Sequence, residues 1–197
     1  MENIQETNKK SVEVQEKPKV KYEHYSKEPI CISNDEFAGS EFTRCGLENC
    51  TFSELNLSSS IFQDSNMEKC EFARLSLSSV IFENSNMECT AFSQVDLNCS
   101  NFQDIYLDHT NILNASMSNL FISHANFEKS TIDDVNMAST DFKNVTLSGS
   151  KYENCNLLDM KLNNCDLSNT TIENADIDGL IINGYNIAEL IANAKKD

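Results

Sequence analysis

Beginning at Phe37 and stepping five residues at a time to Ile187, 31 consecutive positions hold a large apolar residue without one break of phase. The run opens Phe37, Phe42, Leu47, Phe52, Leu57, Phe62, Met67, Phe72 and closes Ile177, Ile182, Ile187, with Ile32 in phase ahead of it. Few backbones accept such a beat. An α-helix repeats its apolar face every ~3.6 residues and a long strand every ~2, so a period of five belongs to neither. It fits a short extended segment with two side chains inward, then a polar corner, then another segment. The second inward position lies two residues before each centre and is usually small or β-branched, as in Ser40, Cys45, Cys50, Ser60, Ser65, Cys70, Val80, Thr90, Ala115, Ala125, Thr140, Val145 and Ala175.

The chain also repeats itself at a longer range. LSSSIFQDSNMEKCEF from Leu57 and LSSVIFENSNMECTAF from Leu77 align without a gap, twenty residues apart. Phe42, Phe52, Phe62, Phe72, Phe82, Phe92 and Phe102 alternate with Leu or Met at 47, 57, 67, 77, 87 and 97. If four pentads close one coil, residue n lies beneath residue n+20 and Phe stacks on Phe; a three-sided coil stacks Phe on Leu. Like-on-like ladders pack best in stacked β-structure, which favours four sides.

The pentads SNMEK at 65–69, ANFEK at 125–129, CDLSN at 165–169 and ADIDG at 175–179 match the motif A(D/N)LXX, and over about four-fifths of its length the chain resembles the pentapeptide-repeat family. The resemblance implies an all-β fold, a right-handed quadrilateral β-helix of four pentads per coil. About eight coils over 31–187, stacked ~4.8 Å apart, give a rod of roughly 37 Å. Both ends of such a rod need covers. At 188–197 a short C-terminal capping helix is expected. Ile187, Leu190, Ile191 and Ala194 fall at helical spacing, Asn186 and Glu189 stand as a capping box, and Lys195 and Lys196 suit the last turn. Residues 1–30 lack the phase and read as a mobile tail, with a short strand over the first coil near 20–25.

Charge follows the repeat. Residues 1–30 carry six acids and six lysines and 188–197 two of each, so the net −16 sits on 31–187, where 23 acids face 7 bases. An acidic rod repels nucleic acid and attracts basic protein surfaces. No apolar run spans a bilayer and the N-terminus lacks the apolar core of a signal peptide, which predicts a cytoplasmic protein without membrane partner.

The eight cysteines do not read as a disulfide framework. Cys45, Cys50, Cys70, Cys155 and Cys165 occupy the inward position, where a thiol serves as a small apolar group. Cys89 and Cys99 fall on outward corners of opposite faces. His24, His109 and His124 are placed apart, and no Ser, His and acid converge as a catalytic set. Asn174, Asp176, Asp178 and Gly179 have calcium-loop spacing, but Tyr185 stands where such a loop needs Glu. Six N-x-S/T triplets, beginning at Asn49, Asn56, Asn98, Asn114, Asn144 and Asn169, follow from composition. No catalytic residue, metal or cofactor is expected, nor any pocket in a side-chain-filled interior, and the chain is read as a non-enzyme.

One outward column stands out. Glu48, Glu68, Glu88, Asp108 and Glu128 recur every twenty residues, so they stack in a column of like charge, which folding alone does not favour; it reads either as a binding face or as a solvated face kept charged for solubility and softened by Lys69 and Lys129 at the next corner. The face holding LNLSS, LSLSS, VDLNC, ASMSN and VNMAS carries one acid, Asp96. The expected function is a rigid interaction rod, monomeric or weakly dimeric, whose acidic column meets a basic protein. The family resemblance implies an alternative: some members, of the quinolone-resistance type, bind DNA gyrase or topoisomerase IV as mimics of duplex DNA. The unbroken phase departs from those members, which insert long loops between coils.

Overall fold

Each pentad turns its centre and the residue two before it inward. In the computed structural model, which describes residues 21–22, 31–33 and 37–194, the chain closes on itself after four pentads. All coil-to-coil pairing is parallel and offset by twenty. Phe42 lies on Phe62, Phe62 on Phe82 and Phe82 on Phe102 along the first face. Phe52, Phe72 and Phe92 stack along the third. Single bridges Asn66↔Asn86↔Tyr106 and Ser76↔Asp96↔Ser116 join the coils on the second and fourth. The solenoid therefore has four sides. From Glu41–Thr43 to Ile181–Ile182 the first-face strands advance seven turns.

The faces are of two kinds, a distinction the repeat does not announce. The first and third are built of three-residue strands such as Ile61–Gln63 and Glu71–Ala73. On the second and fourth the chain makes a tight turn, in which the N–H three residues on bonds the centre's carbonyl, as Cys50 to Leu47 at 3.1 Å and Val80 to Leu77 at 3.2 Å. Phenylalanine occupies the strand faces of the N-terminal coils, and Leu or Met the turn faces. Ring centroids of Phe42 and Phe62 lie 4.4 Å apart and those of Phe52 and Phe72 4.9 Å, nearly parallel. Across the rod, Phe42 meets Phe52 edge to face at 6.4 Å, and Phe52 meets Phe62 likewise at 6.2 Å. Such pairs add ~0.5–1.5 kcal/mol each to the burial of the rings. Phe42, Phe52, Phe62, Phe72, Phe82, Phe92 and Phe102 are all fully buried. The parallel stack ends where Ile112 succeeds Phe92, and Phe102 there turns perpendicular to Phe82.

The residue two before the centre does more than fill space. Ser60 Oγ accepts the Ser40 N–H (3.1 Å) and donates to the Phe37 carbonyl (3.0 Å), tying one coil to the one beneath. Ser100 bridges the Val80 N–H and Leu77 carbonyl in the same way, and Ser130 the Thr110 N–H and Leu107 carbonyl. Thr90 and Thr140 donate to Met67 and Met117. Backbone groups that the turn joins only to each other, as Val80 N–H to the Leu77 carbonyl, thus gain a second partner in a dry interior. Cysteine substitutes where a weaker donor suffices: Cys70 Sγ lies 2.8 Å from the Leu47 carbonyl, and burial pushes its thiol pKa up to about 12. Cys45, Cys50, Cys70 and Cys155 are buried as expected, whereas Cys165, near the C-terminal end, is half-buried.

Every corner, two residues after a centre, turns with positive φ, from Arg44 at 54° to Asn174 at 50°. Left-handed backbone disfavours most side chains and is easiest for Gly, Asn and Asp, which accounts for Asn49, Asp64, Asn84, Asp104, Asn114, Gly149 and Gly179 there. Glu54, Arg74 and Gln94 adopt the same φ because the coils above and below hold them.

Lys21–Tyr22 forms a strand pairing Glu41 and Phe42; the rest of 1–30 and Lys195 and Lys196 lie outside the described residues. After an antiparallel Ile181–Ile182 and Tyr185–Asn186 pairing, the helix runs Ile187–Ala194. Asn186 Oδ1 accepts the Glu189 N–H (3.1 Å), and its amide reaches back to Glu189 Oε1 (3.4 Å). The helix does not seal the rod, however. None of its residues is buried, and Ile172, Ile177 and Ile182 remain accessible around a groove that Ile187 and Ile191 also line. Eight residues span too little of a square coil to close it.

Replacing Ser130 with Ala removes both hydroxyl bonds and leaves the Thr110 N–H and Leu107 carbonyl only their long bond to each other, 3.3 Å. The expected loss is about 1–3 kcal/mol in denaturant unfolding, whereas Ser139→Ala, at an exposed corner, should leave the midpoint unchanged. Deleting residues 186–194 bares the last coil further and should promote concentration-dependent association in light scattering.

Candidate functional site

The turn faces present one side chain at the crest of each turn, the residue after the centre. On the second face these are Glu48, Glu68, Glu88, Asp108 and Glu128, followed by Ser148 and Ser168. Their backbones are linked coil to coil: Asn49 N–H bonds the Glu68 carbonyl, Lys69 that of Glu88, Cys89 that of Asp108 and His109 that of Glu128, at 2.9–3.0 Å. The five acids therefore form one column at ~4.8 Å intervals, each half-exposed. Asx turns fix the crests, with Asn66, Asn86 and Asn126 side chains accepting the N–H of Glu68, Glu88 and Glu128.

Neighbours relieve part of the repulsion. Asn66 donates to Glu48 (2.8 Å), Lys69 pairs with Glu68, His109 Nδ1 lies 3.3 Å from Asp108, and Lys129 Nζ lies 2.7 Å from Glu128. The Lys129 hydrogen bond, then its charge, holds the Glu128 carboxyl below the usual range. Such exposed pairs add little stability. Among the described residues no cation lies within 4.0 Å of Glu88. Glu88, Asp108 and His109 bring one donor atom each within 4.8 Å of one another, a grouping that the sequence, read residue by residue, does not show.

The remaining sequence candidates stay apart. His124 is exposed on another corner, and His24 lies outside the described residues. Asp176 accepts the Asp178 N–H at 3.1 Å and Gly179 turns at φ 66°, the ordinary corner of the repeat. Cys89 and Cys99 are exposed on opposite turn faces.

Two surface features lie outside the sequence candidates. On the third face Asp133, Glu153 and Glu173 stack in register, with Lys151 reaching Glu153 (2.6 Å) and Glu173 (3.5 Å). Sorting the sequence by twenty reveals this column too. The second is a groove of about 340 Å³ between the first and second faces, lined by Asp104, Ile105, Tyr106, His124, Ala125, Asn126, Asn144 and Thr146. A filled interior suggests no such feature. It arises outside the core, where the Tyr106 side chain stands as a wall.

The column's field has a built-in reporter. Burial, then the Glu88 charge, raises the Cys89 thiol pKa. Glu88→Gln should therefore speed alkylation of Cys89 by iodoacetamide at pH 8. Added salt should speed the native protein more than the variant.

Comparison with curated protein sequences gives no match. Among solved structures, QnrB1, described as a plasmid-mediated fluoroquinolone resistance protein, shares 18% identity over 84% of this chain and 86% of its own, with a TM-score of 0.43. HetL, a pentapeptide repeat protein involved in heterocyst differentiation regulation in the cyanobacterium Nostoc, shares 12% over 79% and 88%, with a TM-score of 0.32. Rfr23 from the cyanobacterium Cyanothece shares 18% over 56% and 63%, with a TM-score of 0.23. The family model described as a pentapeptide repeat region matches residues 36–112, and that described as pentapeptide repeats (8 copies) matches 114–149 and 140–179. With the four-sided coil and its five-residue inward pair, these matches show that the chain belongs to the pentapeptide-repeat family.

Proposed function

We propose that the chain is a non-catalytic interaction module of the cytosol, a monomer or weak dimer, whose second face docks a basic protein surface. The observation that carries this is the column Glu48, Glu68, Glu88, Asp108, Glu128, fixed in register by the backbone. Repulsion within it opposes folding, so the column is better explained by a partner than by the rod's own stability. Solubility needs charge but not charge in file on one crest. A stiff scaffold holds the carboxylates in place before binding, so little ordering entropy is lost on contact.

A narrower reading draws on the same column: a rod carrying regular negative charge competes with duplex DNA for gyrase or topoisomerase IV. Both readings meet one experiment. Replacing all five acids with Gln should raise the melting temperature slightly and abolish capture of the native partner, with gyrase and topoisomerase IV included as purified candidates. Capture by the native protein should weaken steeply with salt. Retention of every partner at native affinity by the five-Gln protein would reduce the column to a solvated surface. Loss of a partner other than the two topoisomerases would keep the docking face and remove the DNA-mimic reading.

A further inference from the structure

Tyr106 is a large aromatic side chain exposed on the acidic face, 60% accessible in a column whose other members are Gly46, Asn66, Asn86, Asn126, Thr146 and Asp166. It occupies the position before the centre Leu107, bridged above to Asn126 and below to Asn86. Asp108 lies two residues along on the same face, and Asp104 lies across the groove that Tyr106 walls. An exposed phenol on a hydrated, charged face contributes little to the fold. Its ring does offer a negative face to a cation.

The groove's polar atoms are mostly committed. Asn126 Oδ1 accepts the Glu128 N–H (3.0 Å), and Asn144 Oδ1 accepts the Asn164 amide (2.8 Å). His124 Nε2 lies 3.0 Å from Asn144 Nδ2. Asp104 Oδ2 accepts the Gln103 amide at 3.1 Å, whereas among the described residues its Oδ1 meets only His124 Nδ1, at 3.9 Å, too long for a hydrogen bond. The groove thus pairs one under-used carboxylate oxygen with one aromatic wall. A flat, delocalised cation with several N–H donors suits both, since it can stack on the ring while donating to the carboxylate; a compact ammonium uses one or the other.

We propose that the groove beside Tyr106 is an anchor site for an arginine side chain of the basic partner, the guanidinium lying over the Tyr106 ring and donating to Asp104. This rests on the docking reading of the acidic face. It adds a preference for arginine over lysine, which the charge column by itself does not supply. Tyrosine and arginine are also among the residues most enriched where binding energy concentrates.

The test uses two short fluorescent peptides, identical except that every arginine of one is lysine in the other, titrated against the full chain. The native protein should bind the arginine peptide roughly three- to fivefold more tightly. Tyr106→Ala should abolish the preference, weakening the arginine peptide far more than the lysine peptide; Tyr106→Phe should retain the preference, because the ring remains. Asp104→Asn should weaken the arginine peptide selectively. Since Tyr106 and Asp104 are exposed, unchanged thermal melts of these variants should confirm an intact rod. Equal binding of the two peptides by the native protein, or a preference that survives Tyr106→Ala, would overturn the anchor. The five-Gln protein separates this from the docking reading. If it loses both peptides while the native protein shows no preference, the column stands and only the anchor falls. If neither peptide binds the native protein, both fall.

Discussion

Everything in this molecule depends on residue n lying directly beneath residue n+20. Two interactions enforce that register from inside. Phenylalanine rings stack face to face along the strand faces, Phe42 on Phe62 and Phe52 on Phe72. Hydroxyls such as those of Ser60, Ser100 and Ser130 bind the coil beneath through both an N–H and a carbonyl. Stacking rewards the right pair of coils but tolerates small slides. The hydroxyl bridge is directional and does not. Together they convert a five-residue rhythm into a rod whose outer side chains are placed as strictly as its inner ones.

That placement gives the surface its meaning. On a flexible chain, acids twenty residues apart are independent charges; here they form a column, and the repulsion between them is borne by the core. The same rigidity sets Tyr106 beside Asp104. Proteins of the family are generally non-enzymatic scaffolds.

The sequence made the coil readable because each buried position maps one to one onto a column. The alternation of Phe with Leu or Met distinguished four sides from three, and the acidic column emerged from the same sorting. Other features were hidden for physical reasons. Strand faces and turn faces share the same inward period and differ in where the centre's carbonyl finds its donor, as Leu47 does with Cys50. Left-handed corners are signalled by Asn49, Asp64 or Gly149 but not by Glu54 or Arg74, where tertiary context overrides local preference. The helix at Ile187–Ala194 was legible from its apolar spacing and cap. How little it covers was not, because coverage depends on its angle to the last coil. The groove at Tyr106 comes from one large side chain beside a corner of the next face, a neighbourhood that exists only after folding.

Whether vertical register, and not pentad count, stabilises the rod can be tested with two deletions of unequal size. Removing residues 68–87 joins Met67 to Glu88 and takes out one whole coil, leaving Phe on Phe and Glu on Glu above the junction. Removing residues 68–72 joins Met67 to Ala73 and takes out one pentad, which sets Leu77 over Phe52, Phe82 over Leu57, Met87 over Phe62 and Phe92 over Met67. If register governs, the chain lacking twenty residues should melt cooperatively and at a higher temperature than the chain lacking only five. If the five-residue deletion proves the milder, each pentad packs without regard to the coil beneath it, and vertical register is not what holds the rod together.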